Sequence, residues 1–323
     1  MEKYFGFDLG DAESCVSLLN DVHEQTPEVL PITDKKSFIT AYAMMPDGSL
    51  RIGENACYET GAVKRKLRFK SLFLKDRSCE RDIRSFAQGV LGELYENDYL
   101  SQSDLANFYI GCPAGWNKND RERYRAIFEA AGYPPAKIIS ESRAALVSAC
   151  QSRHLQVGYD ILAKPVLVVD IGSSTTDFAY VCQGKEMDIR TAGEVYLGGG
   201  IMDEILLEES INDSVGKDKI RQVFKESEAW KNYCEFAARR LKEKYYSDED
   251  YFNENVCSES VMIHYDKPLR LRLIMNRQRA ETLVNKPVER LDGKSFKEVF
   301  IQSLKNVKEG NLYMIKKLFP FRC

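Results

Sequence analysis

The chain has 323 residues, of which 44% are hydrophobic and 29% charged, so it is long enough for two domains that each bury a core. Its formal net charge of -3 excludes the overall basic field that bulk binding to nucleic acid or to an anionic membrane requires. Its nine scattered cysteines contain no C-x-x-C pair, which argues against a disulfide framework and a zinc site. The sequence has no signal-peptide start and no apolar run of the roughly 20 residues that a membrane helix needs, and it predicts a cytoplasmic protein without a membrane partner.

The chain opens with a short apolar strand that ends in an Asp-x-Gly turn. Tyr4–Phe7 leads into Asp8-Leu9-Gly10, and strand character resumes at Cys15–Leu19. This pattern predicts a β-hairpin whose tight turn presents backbone N–H groups together with one carboxylate.

Helical patterns follow a more polar stretch in the rest of the first half. Residues 35–105 are polar enough to suggest an insertion. One helix is predicted to open at Asn119-Asp120 and to stop at Gly132, and a second to begin near Ser140. The stretch 157–165, which contains a glycine and a proline, is predicted to separate two lobes.

The opening pattern recurs about 160 residues downstream. The apolar run Val166–Val169 ends in Asp170-Ile171-Gly172, and Phe178–Val181 resumes the strand after a polar turn. Two hairpins in matching order suggest that an α/β lobe has been duplicated. A lone Asp-x-Gly is usually a simple turn, whereas this repetition favours a functional pair.

The second half is mainly helical. Gly198-Gly199-Gly200 precedes a helix, a charged helical region covers roughly 217–246, and a strand is predicted at 261–265. The sequence predicts two lobes. The first covers residues 1–160, with a core of 1–34 and 106–160 around the insertion 35–105. The second covers residues 161–323, with a core of 161–200 and about 285–323 around an insertion at about 201–284.

Paired Asp-x-Gly hairpins suit the chemistry of phosphoryl transfer. That reaction needs backbone donors around phosphate oxygens, a divalent metal, carboxylates that hold the metal and its waters, and a nearby cation. Mg²⁺ keeps several waters, so carboxylates often act on it through those waters. A glycine in each turn lets the backbone approach a phosphate closely.

Five segments carry a resemblance to a known family. The chain resembles the ATPase domain of the seventy-kilodalton heat-shock chaperones over residues 4 to about 205, and more loosely to about 300. The first hairpin is similar to that family's first phosphate loop. The other similar segments are the proline–arginine switch, Cys112–Asn117 with Arg121; the linking helix with its essential glutamate, Ile138–Ala145; the second phosphate loop, Asp170–Asp177; and the glycine pair in Leu197–Gly199.

The resemblance implies a two-lobed actin-like, ribonuclease H-like α/β fold with duplicated lobes around a nucleotide cleft, which binds ATP or ADP with Mg²⁺. It implies that Asp8 and Asp170 hold the metal through water, and that catalysis involves Lys70, Glu141, Asp170, Thr175 and Asp8. The implied nucleotide contacts are Gly10, Asp11, Ala12, Gly172, Ser173, Ser174, Gly198, Gly199, Arg239 and Lys242, and the implied switch residues are Pro113 and Arg121. By residue type alone, a role at a helix start is the more ordinary reading of Glu141, and a solvated basic surface run is the more ordinary reading of Lys70.

Three departures from the family pattern bear on function. Asp11 and Ala12 stand where the family has two hydroxyl residues, and a carboxylate next to triphosphate costs about 1–4 kcal/mol unless a cation neutralises it. Ser142 and Arg143 replace a proline and a threonine. No second Gly-Gly motif follows Gly293, so we expect the end of the second lobe to be incomplete and no peptide-binding domain to be present.

Three functions remain open at this stage. The first is a chaperone-like nucleotide switch that binds Mg-ATP and hydrolyses it slowly, with co-chaperones or client proteins as partners. The second is a non-enzymatic binding or regulatory module that keeps the fold but has lost turnover. The third is a filament-forming or sugar-kinase relative with the same core. The sequence indicates neither the partner nor the oligomeric state.

Overall fold

The computed structural model describes residues 2–20, 26–59, 61–151, 158–182, 185–187, 196–247, 256–264 and 267–310. The chain divides into two units. The first unit comprises Met1–Gly172, Thr176–Glu194 and Val307–Cys323, and the second comprises Ser173–Thr175 and Val195–Asn306. The second Asp-x-Gly sequence, residues 170–172, therefore belongs to the first unit. The lobe boundary near residue 160 stays a prediction.

Strands dominate the first unit. In chain order its elements are β1 (Glu2–Leu9), β2 (Glu13–Leu19), β3 (Glu28–Val29), β4 (Phe38–Ile39), β5 (Ala41–Met44), β6 (Leu50–Ile52), α1 (Gly53–Tyr58), β7 (Lys64–Leu67), α2 (Cys79–Glu96), β8 (Leu105–Cys112), α3 (Lys118–Ala130), β9 (Lys137–Ser140), α4 (Glu141–Gln151), β10 (Val166–Ile171), β11 (Thr176–Cys182) and β12 (Lys185–Met187). Short 3-10 helices cover Lys70–Leu72 and Tyr159–Ala163.

A six-stranded mixed sheet lies at the centre of the first unit. Its strand order is β3-β2-β1-β8-β9, and β4 also pairs with β2. Strand β1 is antiparallel to β2 and parallel to β8, which is in turn parallel to β9. Because these three strands are parallel, the carboxyl ends of β1, β8 and β9 lie at the same edge of the sheet. Asp8 near the end of β1, Cys112 at the end of β8 and Glu141 directly after β9 are therefore brought to that edge.

Aromatic side chains fill the core between this sheet and the helices. Phe5 and Phe108 stack across β1 and β8 with ring centroids 4.7 Å apart. Phe7 meets Phe128 of α3 edge to face at 5.7 Å. Alternation of buried and less buried residues along β1 produces this inward-facing aromatic row.

Helix α3 begins one residue before the predicted start because Asn117 caps it. The Asn117 side chain accepts the N–H groups of Asn119 and Asp120 at 2.8 and 3.1 Å, and the Asp120 carboxylate accepts the Asn117 N–H at 3.2 Å. This capping box satisfies amides that the first helical turn leaves unpaired. The helix ends close to Gly132, whose φ of 98° lies in the left-handed region.

Both predicted Asp-x-Gly hairpins form. In the first, β1 and β2 pair with Asp8 opposite Cys15. In the second, β10 and β11 pair with Asp170 opposite Asp177, and β12 extends this sheet to three strands. The internal repeat seen in the sequence is therefore a repeat of local structure.

The second unit is mostly helical and has its own core. Its elements are α5 (Gly200–Asn212), α6 (Lys217–Glu226), α7 (Glu228–Ser247), β13 (Cys257–His264), β14 (Pro268–Met275), α8 (Arg277–Asn285), β15 (Pro287–Val288), β16 (Lys294–Ser295) and the part of α9 (Phe296–Gly310) that precedes Val307. Strands β13 and β14 form a hairpin, and their buried side chains include Ile263, Leu271 and Leu273. The predicted strand at 261–265 is thus the end of β13, and residue 265 lies outside the described residues.

Within the described ranges, every helix is too short or too polar to cross a bilayer.

The first unit contains a buried polar cluster that offers a test of its packing. Asp82 on α2 accepts the hydroxyl of the fully buried Tyr42 at 2.5 Å and pairs with the Lys64 ammonium at 2.6 Å. Burial first, and then the hydrogen bond to Asp82, raise the pKa of Tyr42 to about 12.

We expect Asp82→Ala to lower the free energy of unfolding of the first unit by about 1–3 kcal/mol, because the Tyr42 hydroxyl loses its acceptor. Urea unfolding should be followed in a Trp230→Phe background, where Trp116 of the first unit is the remaining tryptophan. Adding Tyr42→Phe should recover part of the loss. An Asp82→Ala chain as stable as its parent would contradict the expectation.

Candidate functional site

The turn of the first hairpin is held rigidly by one threonine. Thr40 donates its N–H to the Ala12 carbonyl and its hydroxyl to the Gly10 carbonyl, both at 2.8 Å. Because the Thr40 hydrogen is used in this way, the Ser14 hydroxyl donates to Thr40 Oγ1 at 2.7 Å. A side chain at Gly10 would bring its Cβ within 2.3 Å of the Glu13 carbonyl, so the turn requires glycine there.

A close ion pair joins Lys70 to Glu141. Lys70 lies on the 3-10 helix after β7, Glu141 is the first residue of α4, and their Nζ and Oε1 atoms are 2.6 Å apart. Their side chains are only 8% and 20% exposed. Gly111 on β8 allows this arrangement, since a Cβ there would lie 3.0 Å from Glu141 Cγ.

The electrostatics of this pair extend to two further carboxylates. Burial lowers the pKa of Lys70, but Glu141 and also Asp8 outweigh it, so the pKa of Lys70 is raised well above its ordinary value. Burial raises the pKa of Glu141, Lys70 opposes this, and Asp8 and Asp170 add to it. The pKa of Asp170 is raised by burial and then by Asp8. Asp8, Lys70, Glu141 and Asp170 are therefore close enough to act on one another within the first unit.

Tyr124 adds a buried hydroxyl next to the ion pair. Its side chain is fully buried, and its hydroxyl has no hydrogen-bond partner among the described residues. Burial raises the pKa of Tyr124, and Lys70 and Glu141 are the next largest influences on it.

The predicted switch residues, Pro113 and Arg121, lie at a hydrogen-bonded turn that packs against the segment after Lys70. Arg121 donates from Nε to the Trp116 carbonyl at 3.0 Å and from Nη2 to the Ala114 carbonyl at 3.4 Å. The Trp116 ring stacks on Phe73, directly after the Lys70 turn, at 4.5 Å. Pro113 begins this turn, and its carbonyl accepts the Trp116 N–H at 3.3 Å.

Sequence reasoning missed the anchor at the other end of the Lys70 turn. The Arg123 guanidinium lies over the Phe73 ring, 4.0 Å from its centroid, and donates to the Phe73 carbonyl. It also pairs with Glu80 on α2 at 2.8 Å. Since Arg123 is 50 residues from Phe73 in the chain, no local pattern could have indicated this contact.

In the second unit, the glycine run packs on the turn of the second hairpin. Gly200 donates its N–H to the Ser173 carbonyl at 2.8 Å. A Cβ at Gly198 would lie only 2.3 Å from that same oxygen, so the close approach requires glycine. Thus Ser173–Thr175 and the glycine pair Gly198-Gly199, both predicted to lie near the phosphates, lie together.

The cations predicted to hold adenosine are engaged within the second unit. Lys242 on α7 pairs with the buried Asp203 of α5 at 2.6 Å and donates to the Gly199 carbonyl at 3.1 Å. Arg239 pairs with Glu243 one turn along α7 at 2.8 Å. Their contact with adenosine stays a prediction.

The residues present fit a magnesium–phosphate complex better than a metal bound by protein alone. In the described ranges, no three His, Cys, Asp or Glu side chains converge as a metal site would require. Mg²⁺ is commonly held by one or two carboxylates, with waters and substrate phosphates as the other ligands. Asp8 influences Asp170 electrostatically, so two carboxylates are available for such a complex, and the rigid hairpin turn follows Asp8 in the chain. That these two carboxylates hold the metal stays a prediction.

A family model and several individual proteins point to the same family. The sequence model of the Hsp70 protein family matches residues 89–310, which is more than half of the chain. The chain is similar to the chaperone protein DnaK of Thermoplasma volcanium, with 26% identity over 90% of this chain and 48% of the relative. It is 25% identical to DnaK of Thermoplasma acidophilum over 91% of this chain and 48% of that relative. It is 27% identical to DnaK of Mycoplasma mobile over 75% of this chain and 39% of that relative. The chain thus spans about half the length, or less, of these curated relatives.

The buried ion pair yields a prediction with a defined pH dependence. We expect Lys70→Met to lower the free energy of unfolding of the first unit by about 3 kcal/mol at pH 7.5, because Glu141 is left as an unpaired buried charge. The loss should shrink on acidification. Burial raises the pKa of Glu141 and Lys70 opposes that rise, so without Lys70 the folded variant binds a proton at a higher pH than the folded parent does. The variant therefore gains stability relative to the parent as the pH falls.

Urea unfolding at several pH values in the Trp230→Phe background, read from Trp116, measures this effect. The control is the double variant Lys70→Met/Glu141→Gln, which removes the orphaned charge and should recover most of the stability at pH 7.5. The prediction is contradicted if the loss of unfolding free energy does not depend on pH. It is also contradicted if the double variant is no more stable than Lys70→Met, because Lys70 would then not be what stabilises the charge of Glu141.

Proposed function

The chain belongs to the Hsp70 family, and we propose that it binds ATP and ADP with Mg²⁺ and serves as a chaperone-like nucleotide switch with slow ATP hydrolysis. One observation carries this proposal, the grouping of Asp8, Lys70, Glu141 and Asp170 in the first unit. Lys70 pairs with Glu141 and lies within electrostatic influence of Asp8 and Asp170, so one ammonium group stands against three carboxylates and the cluster has surplus negative charge. Such a cluster favours a divalent cation and binds an anionic nucleotide well only when that cation accompanies it.

We assign the following roles to the residues of the cluster. Asp8 and Asp170 would hold the metal through its waters, as the raised pKa of Asp170 and its proximity to Asp8 support. Bound Mg²⁺ would neutralise charge on the phosphates. Glu141 would orient the attacking water, and Lys70 would supply the cation near the phosphate that is cleaved.

The turns of the two hairpins would supply the remaining phosphate contacts. The rigid turn Gly10–Ala12 and Gly172 would present backbone N–H groups, and Ser173, Ser174 and Thr175 would add hydroxyl groups, with Thr175 beside the γ-phosphate. Gly198 and Gly199 would allow a close backbone approach. Arg239 and Lys242 would approach the adenosine, and Pro113 and Arg121 would relate nucleotide state to movement of the chain.

Partners and surroundings follow at the level of the family. Co-chaperones or client proteins would read the nucleotide state, and the cytoplasm would be the place of action. The chain spans about half the length of its curated relatives, and these assignments are proposed for that part alone.

We expect titration calorimetry to detect ATP binding that depends on Mg²⁺. Asp170→Asn should weaken this binding roughly 10- to 100-fold, the usual cost of losing a group that acts on a metal through its ligands. The control is Asp160→Asn, because Asp160 is an exposed carboxylate of the same unit whose partner is Lys164. Equal affinity with and without Mg²⁺, or no binding at millimolar ATP, would contradict the proposal.

A non-hydrolysing module is a second candidate, and the Lys70–Glu141 pair favours it. In this structure the two residues predicted to act on water and phosphate bind each other at 2.6 Å. Hydrolysis would require at least one of them to exchange this contact for the ligand, and a chain that retained the contact would bind nucleotide without cleaving it.

A single-turnover experiment distinguishes the two functions. With the chain in excess over radiolabelled Mg-ATP, a switch with slow hydrolysis forms ADP at a rate that Glu141→Gln should lower by roughly 10²–10⁴-fold, the usual contribution of a positioned acid–base group. Binding of Mg-ATP without ADP formation above that of the Glu141→Gln chain would identify the non-hydrolysing module.

A further inference from the structure

Asp11 makes a contact that its place in the first hairpin did not predict. Its Oδ1 atom accepts the backbone N–H of Ser71 at 2.9 Å, across 60 residues of chain. Ser71 directly follows Lys70 and lies in the same 3-10 helix, Lys70–Leu72. The carboxylate that stands in place of a hydroxyl residue is therefore engaged with the segment that carries the lysine of the ion pair.

The base from which Asp11 reaches out is rigid. Thr40 fixes the carbonyl groups on both sides of Asp11, those of Gly10 and Ala12, with two hydrogen bonds of 2.8 Å. The Ala12 side chain is buried, and its position is fixed by packing. A carboxylate on such a turn has little freedom, so its hydrogen bond also fixes the position of Ser71.

The segment that Asp11 holds has features that call for an external anchor. Arg68, two residues before Lys70, has a φ of 52°, in the left-handed region that non-glycine residues seldom adopt. Phe69, at the start of the 3-10 helix, provides no side-chain cap. The Ser71 amide would thus lie at the start of a short helix after a strained residue, where an anionic acceptor is stabilising.

We propose that Asp11 is a positioning residue for Lys70. Its carboxylate holds the Ser71 amide, and this contact sets the 3-10 turn so that Lys70 reaches Glu141. Arg123 holds the same turn from its other end through Phe73, so the lysine projects from a segment that is fixed at both ends. This positioning role deepens the proposed function. Only its expected effect on ATP hydrolysis rests on that function, because the contact of Asp11 with Ser71 exists without nucleotide.

This role differs from the expectation that Asp11 simply repels the phosphates. A carboxylate that accepts a backbone N–H is partly neutralised and directed at the protein. If repulsion were its main effect, every substitution that removes the charge would tighten ATP binding. If positioning is its main effect, a neutral residue that keeps the acceptor atom would behave like aspartate.

The test compares Asp11→Ser and Asp11→Asn in the full chain without nucleotide. Asparagine keeps an acceptor oxygen at the same distance from the backbone, whereas the serine hydroxyl is one bond shorter. The matched control is Asp47→Ala, because Asp47 accepts the Ser49 N–H at 2.9 Å in an exposed turn. Two quantities are measured by mass spectrometry, the rate at which an amine-reactive acetylating reagent modifies Lys70 and the rate of hydrogen exchange around Ser71.

We expect Asp11→Ser to raise both rates roughly tenfold, the effect of losing one hydrogen bond to a charged group, and Asp11→Asn and Asp47→Ala to change them by no more than about twofold. Faster exchange at Ser71 with unchanged modification of Lys70 would overturn the proposal, as would equal effects of serine and asparagine. If Asp11→Ser fails to fold, as read from Trp116 fluorescence, faster modification of Lys70 in the Asp11→Asn chain still overturns it.

Turnover separates this inference from the proposed function. If the chain hydrolyses ATP, Asp11→Ser should lower kcat roughly tenfold with little change in KM, and Asp11→Asn should restore kcat. If wild-type chain does not bind Mg-ATP, the proposed function fails, and the nucleotide-free measurements on Lys70 still decide whether Asp11 positions it.

Discussion

A single ammonium group, that of Lys70, lies within the electrostatic influence of the carboxylates of Asp8, Glu141 and Asp170, and it binds Glu141 at 2.6 Å. The ammonium group is buried and stays charged, while burial first, and then the neighbouring carboxylates, raise the pKa values of Glu141 and Asp170. Negative charge exceeds positive charge within this group of four residues. This imbalance is the physical reason for expecting a divalent cation at the site. It also means that the position of Lys70 decides how the remaining negative charge is distributed among the three carboxylates.

Much of the first unit contributes to holding that position. The parallel strands bring the carboxyl ends of β1, β8 and β9 to one edge, and Gly111 leaves space for Glu141. Arg123 secures the Lys70 turn to α2 and α3, and Asp11 secures it to the first hairpin. These contacts come from four separate stretches of the chain. A site built in this way forms only when the unit folds as a whole, and a ligand that binds it stabilises that unit.

Local features could be predicted from the sequence, whereas contacts between residues far apart in the chain could not. The two hairpins could be predicted because alternating apolar residues end in an Asp-x-Gly turn, and the membership of the Hsp70 family and the α/β fold class are confirmed. The start of α3 was misplaced by one residue because the cap, Asn117, precedes the polar pair that drew attention. The contacts of Asp11 with Ser71 and of Tyr42 with Asp82 join residues 60 and 40 positions apart, for which residue type and spacing give no signal. The roles of Lys70, Glu141 and Asp170 remain predictions that rest on the resemblance and on the charges that surround them.

The most direct test of the account is whether a nucleotide stabilises the first unit only in the presence of Mg²⁺. In a Trp230→Phe chain, Trp116 reports unfolding of the first unit, and thermal or urea unfolding can be followed with ATP plus Mg²⁺ and with ATP plus a chelator. A ligand that binds the folded state alone adds about 2.7 kcal/mol of stability at a concentration of 100 times its Kd. The account predicts a shift of the Trp116 transition to higher temperature or urea concentration with Mg-ATP and none with ATP and chelator. A transition that stays in place under both conditions, or moves equally under both, would contradict it.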